Sequence, residues 1–319
     1  RRAAGTRRRE TDGAGARLPG VRGWVGVVGW AWGTGVAALL VLRFVDATGP
    51  VPALQAVLPM AVGSLLLLLA LSLVTHRSRL ALASGGLLVI GVVGAAPWLW
   101  PREFPEPSTA DTVVLAANLE FGQGDLSEVV DLVRHHDVDA LVLLEATSRT
   151  AEQVTEGPLT DLLPHLSGQV REDAGGTLVL TADPHLELAD PPEGTFTQVA
   201  VRVQGSGGDW TLLAVHPAPP LLTTSERWRT DLAALQAWVE GRGEERLVLT
   251  GDFNASQGHP AFRALADGMV DAHREVGAGW VRTWPVESAV PPFIQLDHVL
   301  VRGFEVHDAG VANVRGSDH

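Results

Sequence analysis

Residues 246–254 read Arg-Leu-Val-Leu-Thr-Gly-Asp-Phe-Asn, an apolar, β-branched run that ends on Gly-Asp-Phe-Asn. Such a run predicts a buried strand over Arg246–Thr250 that delivers Asp252 and Asn254 just past its carboxyl end. The same arrangement recurs three times earlier in the chain. VVLAAN ends in Asn118, with Glu120 two residues on; ALVLLE ends in Glu145; LLAVH ends in His216. Strand carboxyl ends converge on one rim of an α/β sheet, where ligands bind. Carboxylate, amide and imidazole groups gathered on that rim would make a divalent-metal and phosphate site. Oxygen ligands suit Mg2+ or Mn2+ rather than zinc.

From Asp111 onward, strands alternate with helices. Further strands are predicted over Thr112–Ala117, Ala140–Leu144, Thr177–Leu180, Thr197–Val203, Trp210–Val215 and Asp297–Val301, and helices over Leu126–His136 and Ser225–Gly241. In the second helix Trp228, Leu232, Leu235 and Trp238/Val239 recur at helical spacing and are expected to face a core. Gly205–Gly208 reads as the turn between two strands. His135 and His136 on a helix, and His165, His185, His259, His273 and His307 in loops, are expected to be solvated.

The first hundred residues differ in kind. Trp24–Leu42, Val51–Val74 and Leu80–Trp100 are three apolar stretches without a charge, each near the roughly 20 residues that span a bilayer core. Three such stretches in succession would leave a soluble helical hairpin little polar surface. Residues 1–22 carry seven Arg against Glu10 and Asp12, and the loop after the second stretch carries Arg77 and Arg79. Positive residues stay cytoplasmic. The basic arm 1–22 is therefore expected inside, three transmembrane helices over 23–100, a stiff linker over 101–110 and an extracytoplasmic catalytic domain over 111–319. Gly29 and Gly33 have the spacing of a helix-packing face.

Composition excludes several chemistries. There is no Cys, so no disulfide and no thiolate zinc site, and no Lys, so no P-loop and no Schiff base. Residues 111–319 hold 13 Arg against 32 Asp and Glu, a net charge of −19 that repels long polyanions. A bound divalent ion would still admit a phosphate locally. The sequence starts without Met and stops inside a Gly-Ser-Asp-His motif, so both ends are expected to be trimmed.

Singly, Asn118, Glu120 or His216 would serve as ordinary strand-end or loop residues, and Ser-Asp-His is common by chance. Glu145 is harder to dismiss, because an unpaired carboxylate at the end of an apolar strand is costly. The order is more informative still: N-x-E, L-x-x-L-E, V-H, G-D-F-N, L-D-H-V and G-S-D-H. It resembles the endonuclease/exonuclease/phosphatase superfamily, which includes type I deoxyribonucleases, abasic-site endonucleases, neutral sphingomyelinases and inositol-polyphosphate 5-phosphatases. Gly175–Leu180 and Gly279–Pro285 resemble that group's G-x-x-x-L and G-x-x-x-T-W segments. With its apolar stretches, the chain is similar to bacterial membrane proteins of the glycopeptide-resistance (VanJ-like) type.

The resemblance implies an α/β fold: a four-layered α/β-sandwich of two packed mixed sheets flanked by helices, DNase I-like. It also implies roles. Glu145 would be the principal metal ligand, assisted by Asn118 and Glu120 directly or through water, with Asp318 close to the ion. Asp252 would orient or deprotonate water, and Asn254 and His216 would donate to phosphoryl oxygens. His319, held by Asp297, would contact the scissile phosphate. The expected cofactor is Mg2+ or Mn2+. The expected substrate is a lipid-linked or small phosphorylated molecule at the membrane surface. Nucleic acid is less favoured, since no basic cluster stands ready for further phosphates. An extracytoplasmic nuclease and a catalytically inactive envelope-binding module are the competing expectations.

Overall fold

A computed structural model describes residues 21–100, 111–243 and 245–319. The linker 101–110 and all but the last two residues of the basic arm lie outside them.

The apolar unit comprises α1 (Val21–Leu42), α2 (Val51–Ala56), α3 (Leu58–Val74) and α4 (Ser78–Leu99). Among the described residues only Ser78–Pro97 is a helix long and apolar enough to cross a membrane; Gly26–Leu42 and Leu58–Val74 are shorter apolar helices. The expectation of three full spans is corrected to that extent. The second stretch is broken at Val57. Pro59 has no N–H and its ring crowds the carbonyl four residues back, so the ladder cannot run through. The 17 residues of α3 rise only about 26 Å.

These helices pack through Val36, Leu40, Leu65, Leu68 and Leu80. A Cβ on Gly29 would lie 2.6 Å from Leu80 Cδ2, so the glycine face of α1 seats against α3 and α4 of its own chain. Val27, Val28, Leu66, Leu67, Leu82 and Val93 stay exposed and form an apolar belt. Gln55, buried within an apolar run, donates to Leu42 O (2.9 Å) and Val45 O (2.8 Å), closing the turn after α1.

The second unit follows the predicted alternation. It comprises β1 (Val114–Asn118), α5 (Leu126–His135), β2 (Ala140–Leu144), α6 (Ser148–Glu156), α7 (Leu159–Leu162), β3 (His165–Gln169), β4 (Thr177–Thr181), β5 (His185–Glu187) and β6 (Val199–Val203). It continues through β7 (Trp210–Val215), α8 (Ser225–Glu240), β8 (Leu247–Asp252), α9 (Pro260–Leu265), β9 (Val270–Asp271), α10 (Ala272–Glu275) and β10 (Asp297–Arg302). The unanticipated strands β3, β5 and β9 are short and lie at sheet edges, where pairing to a neighbour makes the strand without apolar alternation.

One sheet has the order β1-β2-β4-β3 and the other β5-β6-β7-β8-β10-β9, each with parallel and antiparallel pairs. Alternation along each strand supplies both faces. Ala140, Val142, Leu144 and Val179 meet Val201, Leu212, Ala214 and Val248 between the sheets. Leu141, Leu143 and Leu180 pack outward on Val129 and Val133 of α5. Leu213, Leu249 and Leu300 pack on Trp228, Leu232, Leu235 and Val239 of α8, as the helical spacing predicts. The result is helix, sheet, sheet, helix. Because β10 runs antiparallel to β8, Asp297 pairs directly with Asp252, so its amino end joins the rim formed by the carboxyl ends of β1, β2, β7 and β8.

Candidate active site

Asn118, Glu120, Glu145, His216, Asp252, Asn254 and Asp297 lie at or just beyond strand ends, whereas Asp318 and His319 follow the last turn. Beyond β1, β2 and β8 the chain turns sharply: Glu120, Phe121, Glu145 and Asn254 have φ of 44°, 56°, 56° and 46°. Left-handed backbone costs about 1–2 kcal/mol at a non-glycine residue. Such strain gathers at functional sites, where surrounding structure enforces it.

The turns bring the expected residues together. Asn118 Nδ2 donates to Glu145 Oε1 (3.2 Å) and Asp252 Oδ2 (3.3 Å), bridging the two sheets, while its Oδ1 accepts from Glu120 N (3.0 Å). Phe121 N donates to Glu145 Oε2 (2.9 Å). His216 Nε2 stands 3.9 Å from Glu145 Oε1 and 3.8 Å from Asp252 Oδ2. Asn254 N donates to Asp252 Oδ1 (2.7 Å), and Asn254 Nδ2 to Pro217 O (3.1 Å). His319 Nδ1 bonds Asp297 Oδ2 at 2.7 Å, leaving Nε2 3.6 Å from Asp252 Oδ2 and 3.8 Å from Asp318 Oδ1.

Several supporting residues carry no chemistry and gave little sequence signal. Gln198 clamps the His216 backbone, donating to its carbonyl (2.7 Å) and accepting from its N–H (3.0 Å). Ser317 Oγ donates to Asn118 O (2.7 Å) and accepts from His319 N (3.0 Å), tying the last motif to β1. Trp284 Nε1 holds Asp318 Oδ2 at 3.0 Å, and Thr283 Oγ1 accepts from Leu296 N (3.0 Å) beside Asp297. Thr283 and Trp284 do stand in the G-x-x-x-T-W segment and Ser317 in the last motif, whereas Gln198 is marked only as a Gln just ahead of an apolar strand. Two histidines expected to be solvated are buried instead: His259 caps α9, and His273 lies under Gln295.

Burial dominates the electrostatics. It raises Glu145, against hydrogen bonds from Phe121 and Asn118, and lifts Asp252 to about 7 despite the nearby His319 charge. Glu120 is also raised, by burial and then by the charges of Asp318 and Glu145. Burial drives His216 down to about 3, so it is neutral. At His319 burial opposes the charge, but Asp297, Asp252 and Asp318 together outweigh it and hold the imidazole up to about 10. Asp297 is lowered, burial being overcome by the charge and hydrogen bond of His319.

Glu120, Glu145, Asp252 and Asp297 gather around His319, and no Arg is among the groups that shift them. A hard, oxygen-rich donor set with excess negative charge fits Mg2+ or Mn2+. Among the described residues, Asp252, Asp297 and His319 have ligand atoms within 4.8 Å of one another. Mg2+ and Mn2+ prefer oxygen to imidazole, and His319 Nδ1 is taken by Asp297, so that set is better described as a dyad facing a buried carboxyl. Glu145, Asn118, Glu120 and Asp318 remain the fitting ligands.

The shifts have a consequence for stability. A carboxyl raised from 3.8 to about 7 holds its proton more tightly folded than unfolded, so stability falls as pH rises through that window. The His319 contribution, complete below 6.5, is lost as pH rises toward about 10. Neutral His216 and His259 run the other way, their contribution growing as pH rises toward 6.5, so these opposing contributions leave the metal-free pH trend without a single sign. Mg2+ is expected to raise Tm more at pH 8 than at pH 5, where protons compete for Glu145 and Glu120. Thermal unfolding in EDTA and in Mg2+ at both pH values checks this; a Tm indifferent to Mg2+ at pH 8 would count against a metal site.

No curated protein matches the chain. Among solved structures, D. rerio TDP2 complexed with a single-strand DNA product is 12% identical, with a TM-score of 0.48, over 60% of this chain and 83% of that one. Sphingomyelinase C from Streptomyces griseocarneus is 16% identical, TM-score 0.45, over 62% and 85%. A Staphylococcus aureus beta toxin variant with bound magnesium ions is 13% identical, TM-score 0.44, over 59% and 83%. The family model described as Endonuclease/Exonuclease/phosphatase family matches residues 115–319, from β1 through every site residue to the last motif. The chain belongs to the endonuclease/exonuclease/phosphatase family.

Proposed function

We propose that the chain is a membrane-anchored, divalent-metal-dependent hydrolase. Its substrate in this reading is a phosphomonoester or pyrophosphate on a lipid-linked or envelope molecule. The observation that carries the chemistry is the Asp297–His319 hydrogen bond aimed at buried Asp252 within a carboxylate cluster that lacks Arg. Glu145 would hold the ion, with Asn118, Glu120 and Asp318 around it. When bound, a divalent ion supplies Lewis-acid stabilisation of charge on the phosphoryl oxygens.

The chain's own residues divide the remaining work. Asp252, fixed by Asn254 N and Asn118, positions the attacking water and takes its proton; a base with a pKa near 7 suits that task. His319 is cationic, and its Nε2 donates to the phosphoryl group while Asp297 fixes the ring through Nδ1. Neutral His216 and the second amide hydrogen of Asn254 stabilise equatorial oxygens.

Anchoring rests on the exposed apolar belt and on the Arg-rich arm and second loop. It accords with the VanJ-like resemblance. The turn after α1 also lies against the catalytic unit, as expected if both are on one side of a bilayer. The net charge of −19 over residues 111–319 disfavours long nucleic acid. Full-length protein in detergent is expected to release phosphate from a polyprenyl phosphate or pyrophosphate faster than it cuts plasmid DNA. Efficient DNA cleavage with every lipid phosphate ignored would replace this reading with an extracytoplasmic nuclease.

A further inference from the structure

We propose that the loop following His216 enters the lipid interface through Leu221 and Leu222, so that the catalytic rim faces the bilayer. The proposal rests on the anchored reading and adds an orientation to it.

The contacts between the two units decide which side of the catalytic domain points at the membrane. The turn between α1 and α2, together with α2, meets the catalytic unit at four places. Gly49 N donates to Ser225 Oγ (2.8 Å), Arg229 pairs with Asp46 (2.6 Å), His259 Nε2 bonds Pro52 O (2.9 Å), and Arg263 donates to Arg43 O (2.6 Å). A Cβ on Gly258 would sit 2.5 Å from Gln55 O, so the two backbones are in close approach. Every catalytic-side partner follows a site strand closely. Ser225 and Arg229 begin the helix after His216, and Gly258, His259 and Arg263 follow Asn254. The docked face is therefore the rim side of the second sheet.

The loop on that face is built as an apolar tip. From Pro217 to Ser225 there is no charge, and Leu221 and Leu222 are 60% and 72% exposed. Exposed leucines on a floppy loop would mean little, but this one is braced. Ala218 N donates to Asp231 Oδ2 (2.9 Å), Thr224 Oγ1 to Pro219 O (2.5 Å), and Ser225 N to Leu221 O (2.8 Å). Leu221 lies five residues from His216, within about 18 Å at full extension. The docked turn, which bonds the end of this loop through Gly49 N and Ser225 Oγ, also exposes Phe44 and Val45. Because α1 ends at Leu42, the turn lies where the chain leaves the hydrocarbon, and the braced loop beside it lies at the same depth. A lipid interface is the occupant that suits an uncharged, rigid tip placed there. The opposite end of the sheet, at Gly205–Gly208, carries no such pair. In this orientation a headgroup phosphate meets the site without leaving the membrane.

The absence of Cys makes the test clean. Full-length Leu222→Cys and Ser206→Cys proteins are labelled with nitrobenzoxadiazole and reconstituted into vesicles of phosphatidylethanolamine and phosphatidylglycerol. Leu221→Cys repeats the measurement should position 222 disturb the fold. The probe at 222 is expected to emit to the blue of the one at 206, and to be quenched several-fold more by lipids carrying a shallow nitroxide. Equal quenching at both positions, in protein that floats with the vesicles, overturns the orientation and leaves the anchored reading standing. A blue emission at 222 without lipid quenching means a protein partner covers the tip, which also overturns it. Protein that fails to float overturns the anchored reading and this inference with it.

Discussion

Glu145→Gln is expected to lower kcat by about a hundredfold or more, as loss of a group that holds a transition-state charge would. The substitution keeps the shape and removes the charge. Gln can still accept from Phe121 N through its amide oxygen. Since burial already disfavours the Glu145 charge, the folded state is expected to lose little stability. Activity and Tm should therefore part company. The Mg2+ concentration giving half-maximal activity should also rise, a change that mere misfolding would not produce. Wild-type turnover in Glu145→Gln would remove this residue from the metal site.

The second large effect concerns the dyad. Asp297→Asn is expected to cost nearly as much as His319→Ala, about a hundredfold or more, the usual reach of a positioned acid–base group. The double variant should be little worse than either, because the two residues act as one unit. The physical reason is the 2.7 Å bond that holds the ring and raises the imidazole to about 10. With Asn in place of the carboxylate, much of that elevation is lost. Asp297→Asn should consequently also lose activity at a lower pH than wild type on the alkaline side. Strictly additive losses would show that the pair does not act together.

The parts of the site legible in the sequence are those that violate local rules. A carboxylate ending an apolar strand, as in ALVLLE or RLVLTGD, is too costly to leave unexplained, and it marks the rim from residue types alone. The fold's layers were legible for a related reason, because unbroken apolar runs in β2, β7 and β8 mark strands covered on both faces. What escaped is held by long-range pairing or by backbone. Gln198 works 18 residues from His216, and Ser317 works 199 residues from Asn118, through atoms that any sequence offers. The edge strand β3, His-Leu-Ser-Gly-Gln, exists because β4 pairs with it. The break in the second apolar stretch was written in Pro59, but uniform hydropathy masked it. His259 read as a loop residue, but it packs against Trp228 of α8 and bonds Pro52 O of α2, contacts that no local pattern announces.

Phosphate release by full-length protein, measured in EDTA and again after adding back a divalent ion, tests the central claim most directly. With a polyprenyl phosphate or pyrophosphate as substrate, release should stop in EDTA and return with Mg2+ or Mn2+. An unchanged rate in EDTA would contradict the account, because Glu145, Asn118, Glu120 and Asp318 would then hold nothing the reaction needs.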